Sequence, residues 1–214
     1  MNTGSTRTAV ILAALLTVLT GCMNLGAGTS PATHYFLIEP KTTVMPVHDR
    51  QSEHAGAVIG IGPVVIPPYL DRPQMVTRVS AQELVADDFN QWAEPLKATI
   101  ARVLGENMMP LIGGARIRLY PWTGSTDIGY RITVNVFRFD ADASGKVVLM
   151  AGWRIFGADP GHPVIERRTT IEERSAGSGI DDRVEAMSTA LAGLAREIGD
   201  AWIESEKKAG QSEN

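Results

Sequence analysis

A chain of 214 residues, 44% hydrophobic and 21% charged, is enough for one ordinary globular domain with extra segments around it. Its net charge is −4 and its Lys and Arg are scattered along the sequence, so no continuous basic stripe is available to neutralise phosphates, and nucleic acid is excluded as an expected partner. The single cysteine, Cys22, excludes an internal disulfide, a redox pair and a cysteine-ligated metal.

The N-terminus has the order of a secretory signal: a polar start with one cation at Arg7, an apolar run from Ala9 to Leu19, then small residues before the cysteine. That run is shorter than the roughly 20 apolar residues that cross a bilayer. It ends in Leu19-Thr20-Gly21-Cys22, which resembles a lipobox: small residues flank the cut, and the thiol at the new N-terminus takes diacylglycerol and then an N-acyl chain such as palmitate. Residues 1–21 are therefore predicted to be a cleaved lipoprotein signal peptide and Cys22 the lipidation site. Each buried methylene contributes about 0.8 kcal/mol, so several chains on one cysteine give stable anchoring. Met23 and Asn24 stand where an aspartate commonly retains lipoproteins at the inner membrane, which makes the periplasmic face of the outer membrane the expected destination. The rest of residues 22–33 is a Gly/Ser/Thr/Pro stretch with too little apolar surface to pack, and it is read as a flexible tether.

The folded body is expected over residues 34–207. A short strand over Tyr35–Ile38 precedes a weakly apolar loop, Lys41–Ala55, whose His48 and His54 lack the supporting ligands of a metal site and read as solvated histidines. Val58–Ile66 is a strand in which Gly60 and Gly62 signal a bulge or a close backbone approach. Gln74–Ser80 and Glu83–Asp87 make a hairpin. Leu96, Ile100, Val103, Leu104 and Met108 recur at helical spacing over Glu94–Met109, with Pro95 in the first turn and Pro110 and Gly113-Gly114 as stops. Four β-rich runs then form a meander: Ala115–Tyr120, Tyr130–Phe139, Lys146–Phe156 and Val164–Glu173. A second amphipathic helix spans Asp181–Lys207, with acids in its first turn and lysines in its last, and residues 208–214 are a polar tail. The expected fold is α+β: a mainly antiparallel sheet with both helices packed on one face, burying Leu96, Ile100, Leu191, Leu194 and Ile198.

No nucleophile elbow, zinc-binding helix, phosphate loop or dinucleotide-binding turn is present in the sequence. Asp87-Asp88, Glu172-Glu173 and Asp181-Asp182 read as strand ends or helix starts, so the protein is expected not to be an enzyme and to need no cofactor beyond the acyl chains on Cys22.

Two segments stand out: Ile66-Pro67-Pro68-Tyr69-Leu70-Asp71-Arg72-Pro73-Gln74-Met75-Val76, and Phe89-Asn90-Gln91-Trp92-Ala93-Glu94-Pro95-Leu96. With His34-Tyr35-Phe36-Leu37 and the lipobox, they resemble the paraquat-inducible protein C family, also called the ABC-type transport auxiliary lipoproteins, over about Tyr35 to Trp202. The resemblance implies a non-enzymatic outer-membrane component of an MCE-type intermembrane lipid-transport system that supports membrane integrity. Its implied partners are a periplasm-spanning MCE tunnel protein, the inner-membrane partner of that protein, and other copies of the chain in a homo-oligomer. Tyr69, Asp71, Arg72, Gln74 and Trp92 become the candidate docking residues, because aromatic and Arg side chains dominate such contacts. The competing reading pairs Arg72 with Glu94 and places Tyr69 and Trp92 at the edge of the core. Two rival functions are a lipid-binding carrier, and an outer-membrane assembly or envelope-stress lipoprotein.

Overall fold

Among the described residues the expected strands and helices form, although Val58–Val65 is buried at five consecutive positions rather than alternating and the strand expected to end at Asp87 runs on to Trp92. The computed structural model describes residues 31–41, 54, 56–122, 127–157 and 159–212. The signal peptide, Cys22, most of the tether and His48 lie outside them. Thr33–Asn214 is one compact unit, and every described core residue belongs to it. Its strands are β1 (His34–Phe36), β2 (Val58–Val65), β3 (Gln74–Arg78), β4 (Leu84–Trp92), β5 (Arg116–Leu119), β6 (Tyr130–Asp142), β7 (Lys146–Phe156) and β8 (Pro163–Arg174). Its helices are α1 (Leu96–Met108) and α2 (Ile180–Ser212).

The predicted α+β class holds, but the sheet is mixed rather than mainly antiparallel. β1 runs parallel to β4, β2 to both β5 and β6, and β3 to the end of β6; the antiparallel pairs are β3 with β4, β6 with β7, and β7 with β8. The strand order is β1-β4-β3-β6-β2-β5, with β7 and β8 continuing from β6. β6 is long enough to pair with β2 through its first half and with β3 through its last residues. The predicted meander is real for β6 to β8, whereas β5 leaves it for β2. The cause is α1, which carries the chain from β4 back across the sheet, as a parallel pairing requires.

Both helices cover one face. In β7, Val147, Leu149, Ala151, Trp153 and Ile155 are all buried; in β6, Ile132, Val134 and Val136 keep the same parity until a bulge at Phe137 resets it for Phe139 and Ala141. Against them lie Leu96, Ile100, Val103 and Leu104 of α1 and Leu191, Leu194, Ile198 and Trp202 of α2, as the helical spacing requires. A Cβ at Gly105 would meet Ile117 at 3.1 Å, so α1 approaches β2 and β5 more closely than a larger residue would allow. A buried relay ties sheet to helix: Trp153 Nε1 donates to Thr169 Oγ1 (2.9 Å), and the Thr169 hydroxyl donates to Glu197 (2.7 Å).

Pro95 is the residue before the first helical turn of α1, where its carbonyl accepts the N–H groups of Ala98 and Thr99. α2 continues to Ser212, so Lys207 and Lys208 are interior to the helix, not in its last turn, and part of the predicted polar tail is helical. His54 is not a solvated loop residue. Its ring stacks edge-on against buried Trp202 at 4.8 Å, and its backbone N–H donates to the Gly113 carbonyl. The bulge expected near Gly60 and Gly62 is present: Gly62 has φ 122° and the β2–β6 register shifts between Ile61 and Val64.

The other face of the sheet carries a different chemistry. Its outward positions include Arg78 on β3, Arg116 and Arg118 on β5, and Arg131 and Arg138 on β6. Across β7 and β8 they continue with Lys146, Arg154, Arg168 and Arg174.

Candidate docking surface

The Pro67–Gln74 segment links β2 to β3. Two turns shape it, with Leu70 N–H donating to the Pro67 carbonyl (2.9 Å) and Asp71 N–H to that of Pro68 (3.2 Å). Leu70 anchors it in the core at 4% exposure. Beside Leu70, the Tyr69 hydroxyl donates to Asp140 Oδ2 at 3.0 Å. Asp140, only 1% exposed, also accepts from Arg78 Nε (3.0 Å), Arg78 Nη2 (2.8 Å) and Arg138 Nε (2.9 Å). A buried carboxylate is tolerable only when paired and fully hydrogen-bonded, and the two guanidinium groups and the phenol do this. Burial, followed by the charge of Asp140, pushes the Tyr69 hydroxyl up to about 12, and the hydrogen bond to Asp140 raises Arg78. The cluster therefore clamps the segment to the end of β6.

The clamp positions the predicted residues unequally. Arg72 is exposed and makes no ion pair with Glu94, which instead lies 3.6 Å from Arg102. Asp71 is exposed and 3.8 Å from Lys97 at the start of α1. Gln74 Nε2 donates to Asp88 Oδ1 at 3.4 Å. Tyr69 is half-buried and bound to Asp140, with its ring against the core. Trp92 departs from the expected docking set: at 7% exposure it is a core residue, so it is not part of an open docking face. Its backbone N–H donates to the Pro73 carbonyl at 2.7 Å, which closes the segment onto β4. Strand parity explains the difference, because Gln91 and Trp92 point to opposite faces.

Sequence reasoning missed the neighbours. Register places Tyr35 beside Gln91 and Gln91 beside Gln74, and Tyr35 and Phe89 are 65% and 46% exposed. Two aromatics, two amides and the Asp71-Arg72 corner thus share one end of the sheet. Asp87 shapes β4 there by accepting the N–H groups of Phe89 (2.9 Å) and Asn90 (3.1 Å) and the Asn90 amide, and these hydrogen bonds hold its carboxyl below the usual range. Asp182 accepts the Gly179 N–H at the start of α2, and Glu172 pairs with Lys146. Among the described residues no group of three His, Cys, Asp or Glu is placed to hold a metal.

A cavity between helix and sheet, lined by Leu70, Met75, Trp92, Phe139 and Met187, has a volume of about 20 Å³, room for about one water. A wider cleft of about 340 Å³ lies where α1 ends beside α2, but Lys41, Asn107, Glu173 and Arg196 line it. Among the described residues no helix is long and apolar enough to cross a membrane.

The sequence profile of the ABC-type transport auxiliary lipoprotein component matches residues 35–199. The chain belongs to that family. The family is one of lipoproteins serving a transport system and is not a known enzyme family. Solved structures show the same fold in relatives of low identity. One, the crystal structure of an uncharacterized protein, is 20% identical, covers 79% of this chain and 98% of its own, and has a TM-score of 0.66. Another, from Xanthomonas campestris, is 14% identical, covers 85% of this chain and 98% of its own, and has a TM-score of 0.62. No curated protein matches the sequence.

Proposed function

We propose that this family member is the outer-membrane lipoprotein of an MCE-type intermembrane lipid-transport system, anchored at the periplasmic face through acyl chains on Cys22 and docked to the MCE tunnel protein. The observation that carries the reading is the family match across nearly the whole folded unit, joined to the Leu19-Thr20-Gly21-Cys22 lipobox. The clamped edge bearing Asp71, Arg72 and Gln74, widened by Tyr35 and Phe89, is the docking face. A rigid segment favours such contact because little conformational entropy is lost on binding. Several copies around one tunnel present that edge repeatedly. Docking is favoured over carrying lipid because, among the described residues, the 20 Å³ cavity has no room for an acyl chain and the wider cleft mixes apolar Leu111 and Ala192 with charged Lys41, Glu173 and Arg196.

The test is a crosslinked pull-down from envelopes with the tagged, lipidated protein, run beside Arg72→Glu and, as a control away from the edge, Arg196→Glu. Recovery of an MCE protein by the native chain and by Arg196→Glu, but not by Arg72→Glu, supports the assignment. Recovery of only outer-membrane proteins refutes it in favour of an assembly role.

A further inference from the structure

The chain carries 20 basic and 24 acidic residues, yet the outward positions of β3 and β5 to β8 hold nine basic and only four acidic side chains. The rest of the chain is left with eleven basic against twenty acidic residues. Three of the four acids on this face are consumed locally: Asp140 lies between Arg78 and Arg138, Glu166 pairs with Arg154, and Glu172 with Lys146. Arg116, Arg118, Arg131, Arg168 and Arg174 have no carboxylate partner among the described residues. Arg131 and Arg168 instead lie over the rings of Trp122 (5.8 Å) and Phe137 (4.4 Å). Phe137, 40% exposed, fills the space above Gly152, where a Cβ would meet its ring at 3.1 Å. This is a broad, pleated, arginine-bearing surface on which the Trp122 and Phe137 rings each lie beneath a guanidinium, and neither helix covers it.

We infer that this open sheet face rests on an anionic lipid surface and orients the domain on the membrane that holds its anchor. The inference rests on the lipid anchoring proposed above. Charge complementarity gives the chemistry, since guanidinium groups pair with headgroup phosphates through charge-assisted hydrogen bonds. Tether length gives the partner: the eleven residue-to-residue steps from Cys22 to Thr33 span at most about 36–40 Å, so an anchored domain never leaves the neighbourhood of the bilayer. The helices, which carry eight acidic residues between them, then face away from the lipid, where screening over about 10 Å in 0.1 M salt weakens their repulsion. The Tyr35–Arg72 edge stays at the side, open to a protein partner.

The experiment uses the Thr33–Asn214 unit, which contains the whole described core, so the result does not depend on lipidation of Cys22. Its flotation is measured with vesicles of phosphatidylcholine alone and with vesicles containing phosphatidylglycerol. We expect binding only to the anionic vesicles, weakening with salt. Each arginine near an anionic surface strengthens binding roughly fivefold, so Arg116→Glu, Arg118→Glu and Arg174→Glu together should reduce it by about a hundredfold. Lys97→Glu, Arg196→Glu and Lys207→Glu, with the same change in net charge but away from this face, should leave it within about threefold. Unaltered circular dichroism of both triple variants confirms their fold. Equal binding to both vesicle types, equal losses from both triple variants, or no binding to anionic vesicles overturns the inference; the last result leaves an acidic protein surface as the occupant. Metabolic palmitate labelling of the full chain and its Cys22→Ala variant reports separately on the anchor.

Discussion

Replacing Asp140 with Ala removes the centre of the clamp. The carboxylate is 1% exposed and accepts four hydrogen bonds, three from guanidinium groups and one from Tyr69. Its loss leaves Arg78, whose side chain is only 18% exposed, without a counter-charge. Breaking a buried pair from one side costs about 3–5 kcal/mol. At about 2–4 °C per kcal/mol for a domain of this size, the melting temperature should fall by about 6–20 °C. Urea unfolding followed by tryptophan fluorescence measures the free energy. A double-mutant cycle with Arg78→Ala separates the pair from the solvation of either partner, and the two losses should fall short of additivity by about 0.5–3 kcal/mol. A cost below about 1 kcal/mol for Asp140→Ala, with additive losses, would refute the reasoning, because that is the value of a solvent-screened surface pair.

Stability should also decline as pH rises from 10 to about 12, because the folded state holds the Tyr69 proton more tightly than the unfolded chain does. This contribution is fully present below pH 10 and is lost as pH climbs through the folded value; Tyr69→Phe should flatten this limb in alkaline denaturation curves, leaving the part due to Tyr130, which burial and its hydrogen bond to Glu206 also push up to about 12. Gly62→Ala should cost about 1–3 kcal/mol in chemical denaturation, since φ is 122° and the new Cβ would lie 2.5 Å from that of Tyr120. Trp202→Ala, at a side chain that is 0% exposed and in edge contact with His54 and Tyr130, should cost about 3–5 kcal/mol in the same assay.

By itself the sequence determined what depends on near neighbours in the chain. The stripes of α1 and α2, the alternation of β7, the bulge signalled by Gly60 and Gly62, and the family-bearing Leu-Asp-Arg-Pro-Gln and Trp-Ala-Glu-Pro-Leu stretches are all local patterns, set by side-chain periods of 3.6 and 2 and by backbone permissiveness. Which strand lies beside which was decided only by the tertiary structure. β5 joins β2 rather than β6 because α1 returns the chain across the sheet, and nothing within Arg116–Leu119 encodes that choice. Trp92 shows the same limit, since a register against β3 and β1, not its own neighbours, turns it into the core and Gln91 out of it. Asp140 gives no signal among Phe139 and Ala141, although Arg78 and Tyr69, more than 60 residues away, meet there. The arginines are scattered along the sequence, and only the pleat, pointing every second residue of five strands to one side, gathers them onto a single face.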